Sequence, residues 1–515
     1  MLDIKSYISK YFPNKNIESQ SEYLSLWEAW YKGYVKDFHK YTIYTGKQYV
    51  DVNRKTLRIA KKCCEDWANL LLNEKCSITI KDQEKLDGLL YRNNFWVRGN
   101  SLLEKTFALS MGATVESLEN LTITEKGDIV KTKDARPKLD YIVAKNIYPI
   151  TYKNGELVEC AFVKEDTNST NISIHKLNEK NEYDVINLVV EVKNHIATIS
   201  KELTFHTKSK KPLYQIYKPN IANNIDIDSP LGISVFANAI DILKAIDTNY
   251  DAFDMEIQLG RRRVMVSSSL IDTDEDGNFI GAFDPNDIVY YSLPADLSGD
   301  NQLINELASQ LRTNDISLAL QEQLNLFSAS VGFGKNYYTF GAGGGGRPIQ
   351  TATGIIAQNS DLFRSIKKHE ILLEQALKDM VEMLVYLTNE FTLDHIEIGD
   401  EIIVNFDDSI IEDTESKKNS DRTDVTNGIM SKEEYRAKWY GEDIEKAREN
   451  LDSFGLNDLD TRINALLPAL QSGAITPTLF VEAVYKDKDN KEGIAQYIEE
   501  QLTKTNEPIN FNEIA

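Results

Sequence analysis

The sequence predicts an α+β chain in which helical and β-rich segments follow one another in blocks. Three observations carry that expectation. Residues 15–110 and much of the chain after Pro230 space their apolar residues by three and four. Residues 111–220 are built of short β-branched runs divided by turn residues. One stretch, 351–391, holds the helical period over about 40 residues.

Taken in order, "KTLRIAKKCCEDWANLLLNEK" puts Leu57, Ala60, Cys64, Trp67 and Leu71 on one helical face, and that face reads as core. The runs "LTITEKGDIVKTK", "YPITYKNGELVECAFVKE" and "VINLVVEVKNHIATISKELTFH" read as strands, with Asn154-Gly155 as a tight hairpin turn. After Pro230, the stripe Phe236, Ile240, Leu243, Ile246, Tyr250, Phe253 and Ile257 predicts a helix of about 25 residues. Its other face carries Asp241, Asp247, Asp251 and Asp254, an acidic face that solvation alone would explain. Arg261, Arg262 and Arg263 follow, which suits the negative end of a helix dipole.

Asp272, Asp274, Asp276 and Gly277 imitate the start of an EF-hand loop. The twelfth position, however, is Phe283 where a bidentate glutamate is required, so Asp276-Gly277 reads as a hairpin turn and no metal is expected. Residues 312–332 resume a helix through Ile316, Leu320, Leu324, Phe327 and Val331.

Then comes "YYTFGAGGGGRPIQTATG", in which Gly341, Gly343 and Gly346 stand as G-x-G-x-x-G. A phosphate loop needs a lysine and a Ser/Thr opening a helix at once, but Arg347 and Pro348 follow instead. A dinucleotide fold needs a second strand ending in an acid about 20 residues on, and Asp361 at that spacing lies inside a helical pattern. Four consecutive glycines read more simply as a flexible connection between two helices. The helix that follows, on the order of 60 Å long at 1.5 Å per residue, spans an assembly more naturally than it folds into a compact enzyme. Residues 392–427 return to strand pattern and then turn polar. Beyond them "GIMSKEEYRAKWY" (428–440) and "GAITPTLFVEAVY" (473–485) align as two capped helices, by duplication or by chance.

Composition bounds the function. The 80 acidic residues against 58 basic ones leave a net charge of −22, which excludes the broad basic footprint of a protein that grips nucleic acid. No run approaches 18 apolar residues and the first residues lack a signal-peptide core, so the chain reads as soluble and intracellular with no membrane partner. Cys63, Cys64, Cys76 and Cys160 lack paired spacing and read as buried thiols. The six histidines form no metal motif, and no cofactor is expected.

The order of these blocks, with "RKTLRIAKKCCEDWANLLLNEK", "SPLGISVFANAIDILKAIDTNYDAF", "TATGIIAQNSDLFRSIKKHE" and "GIMSKEEYRAKWYGE", resembles the portal proteins of tailed bacteriophages, especially siphophages of Gram-positive hosts. That resemblance implies a virion protein, assembled in the host cytoplasm as a ring, usually of twelve subunits, at one capsid vertex. A terminase drives double-stranded DNA in through the ring without sequence specificity, and the DNA later leaves through it. Major capsid and scaffold proteins, terminase and a head-completion adaptor would be its partners.

Carried onto this chain, the resemblance makes residues 1–230 and 392–427 the wing, 231–260 and 312–332 the two-helix stem, and 261–311 a small β-containing clip. Residues 333–350 become the tunnel loop, 351–391 the long helix behind it and 428–515 the helical crown. It makes Lys335, Asn336, Gly343, Gly344, Gly345, Gly346 and Arg347 the DNA-facing loop, and offers Asp241, Asp247, Asp251 and Asp254 as a channel lining. Arg261, Arg262, Arg263, Asp272, Asp274 and Asp276 would be the clip docking surface, and no residue would be catalytic. An acidic conduit fits this picture, since each phosphate neutralised by lysine or arginine adds affinity that would stall sliding. The competing readings are a nucleotide-binding enzyme using 341–353 and a structural adaptor without a channel.

Overall fold

A computed structural model describes residues 4–503 except 16, 18–20, 45–47, 121, 125–128, 168, 194–195, 261–262, 268–289, 294–303, 308–310, 341–351, 407–413, 442, 449–462, 464–465, 471–474 and 486–489. The chain divides into two compact units, residues 1–411 and 412–515.

The first unit opens with helices α1 (Ile4–Ser9), α2 (Ser21–Lys32) and α3 (Lys36–His39). A hairpin of β1 (Lys40–Tyr44) and β2 (Tyr49–Asn53) follows, in antiparallel register with Tyr41 opposite Val52 and Ile43 opposite Val50. This ribbon corrects the all-helical expectation for 15–110. Its alternating Tyr41, Ile43, Val50 and Val52 are β-formers whose period of two the helical reading of the flanks obscured. Helix α4 (Ile59–Leu71), strand β3 (Ser77–Thr79), α5 (Gln83–Arg92) and α6 (Phe95–Leu109) come next. The α4 face is core as expected, with Ala60, Cys64, Trp67 and Leu71 buried, and Leu57 packs against that core from just before the helix.

The β-rich block contains β4 (Gly112–Glu119), the short pair β5 (Thr122–Ile123) and β6 (Ile129–Val130), β7 (Arg136–Val143), β8 (Ile147–Lys153), β9 (Glu156–Glu165), β10 (Ser169–Leu177), β11 (Tyr183–Lys193), β12 (Ile196–His206) and β13 (Tyr214–Tyr217). Strands β8 to β12 form an antiparallel meander in chain order, and β13, β4 and β7 form a second sheet. The β8–β9 turn is the predicted Asn154-Gly155, with φ of 54° and 80°, the pair of positive values that a two-residue hairpin turn needs. Ile8 and Phe12 from the N-terminal segment cover one face of the meander, against Ile172, Ile174, Leu188 and Val190.

Helix α7 (Ile240–Leu259) starts later than the sequence pattern suggests. Leu231, Ile233 and Val235 precede it outside any helix and are buried in the core, and the Val235 N–H donates to Phe107 O at 2.9 Å. A three-stranded sheet follows, in which β14 (Arg263–Ser267) pairs in parallel with β15 (Tyr290–Leu293) and antiparallel with β16 (Ile304–Leu307). Helices α8 (Thr313–Ser330) and α9 (Ala352–Phe391, 40 residues) complete the long elements where the apolar periods place them. Finally β17 (Ile403–Asn405) pairs with β3, tying 392–406 to the start of the chain.

In the second unit, α10 (Thr414–Thr426) packs on α11 (Lys432–Tyr440). Asp421 accepts from Trp439 Nε1 at 2.8 Å and from Lys438 Nζ at 2.7 Å. Helix α10, expected to belong with the preceding wing segment, lies in this unit instead. Both repeat copies are capped helices. Ser431 forms a capping box with Glu434, and Thr476 caps Pro477–Val484. Only the second copy is buried, through Phe480, Val481, Val484 and Tyr485 against Ile498 of helix Lys491–Thr503.

Candidate functional site: two paired helices and an anchored loop

Helices α7 and α8 lie side by side, with Phe236, Leu243 and Ile246 in one core with Leu320, Leu324 and Phe327. Buried apolar surface at about 25 cal/mol per Å² supplies the adhesion. At the far end the Arg312 guanidinium grips Glu256 through two contacts, Nε to Oε1 at 3.2 Å and Nη2 to Oε2 at 2.9 Å, and its backbone N–H donates to the same carboxylate. That pairing holds the Glu256 carboxyl below its ordinary range.

The acidic face of α7 is not one surface. Asp247 is 3% exposed and accepts from Leu57 N at 2.9 Å and His39 Nε2 at 3.1 Å, while the Val35 N–H donates to His39 Nδ1 at 2.8 Å. Asp251, also buried, accepts from Lys55 N and Tyr41 Oη, and Asp254 binds Lys55 Nζ. These acids root the β1–β2 hairpin on α7. Asp247 and Asp251 therefore face the interior of their own subunit, which corrects their assignment as solvated or channel-lining groups. Asp241, at the start of the helix, keeps an exposed side chain that, among the described residues, pairs with Lys244 at i, i+3.

The chain leaving α8 is anchored, not loose. Trp67 Nε1 donates to Val331 O at 3.1 Å, and the indole stacks on Phe333 at 4.7 Å. Phe333 stacks in turn on Tyr337 at 4.2 Å, and Tyr338 Oη donates to Asp66 Oδ2 at 3.0 Å. Gln321 of α8 holds both sides of the next peptides, donating to Tyr338 O at 2.9 Å and accepting from Phe340 N at 2.7 Å. Phe340 meets Phe253 of α7 edge-on. Gly332, Gly334 and Asn336 take left-handed backbone (φ 92°, 78° and 63°), which coils the segment back onto the core.

Beneath this lies His369 of α9, edge-on to Trp67 and Phe107, its Nδ1 accepting from Asn220 N at 3.0 Å. Burial lowers its pKa to about 3, so the ring stays neutral.

The expected loop 333–350 thus divides in two. Residues 333–340 are packed, with only Lys335, Asn336, Tyr337 and Thr339 exposed among them, while Gly343, Gly344, Gly345, Gly346 and Arg347 lie outside the described residues. The sequence signal for the packed half was the aromatic set Phe333, Tyr337, Tyr338 and Phe340, which the glycines overshadowed. Arg261, Arg262, Asp272, Asp274 and Asp276 also fall outside the described residues, and Arg263 opens β14. All four cysteines are buried free thiols. Among the described residues, no group of three His, Cys, Asp or Glu could hold a metal, and no helix is long and apolar enough to cross a membrane.

Comparison with known proteins gives two findings. The model of the family "Phage portal protein, SPP1 Gp6-like" matches residues 12–452. Among solved structures, similar chains include one in the neck of a native gene transfer agent particle computed with C12 symmetry and one in the virion of a native gene transfer agent particle. Each has 11% identity and a TM-score of 0.36, over 74% of this chain and 88% of that one. No curated protein matches the sequence.

Proposed function

This chain belongs to the SPP1 Gp6-like phage portal protein family, which places it at a capsid vertex of a virion, and on that premise we propose how its parts serve as a conduit. The family is structural, and no catalytic role is assigned to any residue here. Twelve copies close a ring assembled in the host cytoplasm. Double-stranded DNA passes through that ring, inward under a terminase and later outward.

Helices α7 and α8 are the stem, the β14–β16 sheet with 261–311 is the clip that docks terminase and then the head-completion adaptor, and residues up to 230 with 392–406 are the wing. The observation that carries this reading is the family match across 12–452, and the paired helices, the small sheet between them and the 40-residue helix support it by following the block order that the resemblance implies. Residues 341–350 form the DNA-facing collar, flanked by Lys335 and Asn336, with Arg347 its further cation. Cations at such a collar make weak, rapidly exchanged phosphate contacts. Asp241 is the stem acid left for the channel.

Negative-stain microscopy of the purified protein tests the ring: an axial hole wide enough for a duplex is expected, and compact monomers or dimers alone would refute it. Packaged-DNA yield tests the collar. Shortening Gly343–Gly346, or reversing charge at Lys335 and Arg347, should lower yield at equal portal incorporation. Protection of the loop from proteolysis by ATP would instead return it to nucleotide binding.

A further inference from the structure

One residue caps two helices where the α7–α8 pair meets the three-stranded sheet. The Glu256 carbonyl accepts the Gly260 N–H at 2.8 Å and so ends α7. Its side chain reaches across to α8, whose N-cap residue, Arg312, makes no cap with its own side chain. Glu256 Oε1 accepts the Arg312 backbone N–H at 3.1 Å, and the two carboxylate oxygens take the guanidinium at 3.2 and 2.9 Å. The positive end of the α8 dipole favours an acid at this place. Glu256 therefore serves as the last acceptor of one helix and the first anion of the next.

The junction is narrow. A Cβ on Gly260 would stand 2.0 Å from Leu311 Cδ2, so the glycine admits Leu311 against the end of α7. Residues 261–262 alone separate Gly260 from β14, and 308–310 alone separate β16 from Leu311. The two strands that leave and rejoin the helices are also neighbours in the sheet, with Arg263 opposite Leu307 in antiparallel register. Both are thus tethered within a few residues of one ion pair. The Arg312 side chain is 74% exposed against 14% for Glu256, so salt reaches the pair from the arginine side.

We propose that Glu256 and Arg312 form an ionic latch that fixes the β14–β16 sheet to the α7–α8 pair, and that opening the latch uncouples the sheet from those helices. The proposal rests on the portal reading for one point, that the sheet is the docking clip: the latch then sets the attitude in which the clip meets its partners.

The test is hydrogen exchange, read by mass spectrometry on the full-length protein and on its Arg312→Gln and Glu256→Gln variants, with melting temperature to confirm that each folds. Either substitution should speed exchange about threefold or more in the first turn of α8 and in β14 and β16 alike, while the β8–β12 meander stays as it was. The two together should do no more than either alone, because they break the same contact. Wild type in about 1 M salt, where charges are screened beyond about 3 Å, should approach the variants and so reads the latch without any substitution. Wild-type exchange in Arg312→Gln would overturn the latch. Faster exchange confined to the first turn of α8 would overturn it too, leaving Glu256 a helix cap with no hold on the sheet. Negative-stain images of the same samples separate the two readings: the expected exchange pattern in a protein that forms no rings would support the latch and refute the portal layout.

Discussion

Replacing Asp247 by alanine separates a subunit-bracing carboxylate from a channel-lining one. The carboxylate accepts from Leu57 N at 2.9 Å and His39 Nε2 at 3.1 Å, and its side chain is almost wholly buried. Hydrogen bonds to a charged acceptor contribute about 1.5–3 kcal/mol each, and removal orphans two donors, one on a histidine that is 0% exposed. Relief of the desolvation cost offsets part of this, leaving a net loss of about 3 kcal/mol.

If residues 1–411 unfold together, an unfolding entropy of about 2.1 cal/mol/K per residue turns that loss into a fall of about 3–4 °C in melting temperature. Asp241→Ala, on the exposed start of the same helix, should stay within about 0.5 kcal/mol. Calorimetry and urea unfolding of both variants beside wild type provide the assay. Equal stabilities for Asp241→Ala and Asp247→Ala, with DNA packaging altered by Asp247→Ala, would refute the bracing role and restore the acidic lining.

Three further outcomes follow from the same geometry. Trp67→Ala removes the indole that stacks on Phe333 and holds Val331, costing about 3–5 kcal/mol, and should expose 333–340 to limited proteolysis, while Thr339→Ala at an exposed position leaves the digest unchanged. Leu243→Asp places a charge at a 1% exposed position against α8, so it should yield insoluble subunits; soluble, folded monomers that merely fail to assemble would move that contact to a neighbouring chain. His369 is held by burial near pKa 3 against about 6.5 unfolded, so its contribution is complete above pH 6.5 and fades as pH falls toward 3. His369→Gln should therefore lose about 2 kcal/mol less than wild type between pH 8 and pH 5 in urea titrations, and equal losses would mean the ring protonates freely in place.

What the residues disclosed in advance was what depends on near neighbours. The long helix announced itself because 40 residues keep one apolar face, and the β8–β9 turn because Asn154-Gly155 accepts positive φ. The family resemblance, carried by several blocks in order, led to the portal assignment. Long-range partners were illegible. Nothing local tells that Asp247 meets His39, 208 positions away, whereas Asp241, six residues earlier on the helix, meets none of the distant hairpin. The anchored half of the loop was missed for the same reason, since its aromatics take their meaning from Trp67, Asp66 and Gln321 on other elements. Residues 231–236 were assigned to the stem helix, although they lie outside any helix and are held in the core by a partner as distant as Phe107, whose carbonyl accepts from Val235 N.

The distance in sequence between partners also sets the order of events during synthesis. The β8–β12 meander pairs each strand with the next and can form soon after it leaves the ribosome. The core around Trp67 cannot: its Val331 and Phe333 contacts arrive 264 or more residues later, and His369 of α9 later still. At about 5–20 residues per second, that core waits roughly 15–60 s for its second half. During this interval, the side of Trp67 that Val331, Phe333 and His369 will cover stands open beside a sheet already made. A nascent portal chain is therefore most exposed to chaperones, and to aggregation, in the middle of its translation, and closure by α8 and α9 marks the moment it becomes fit to meet another copy.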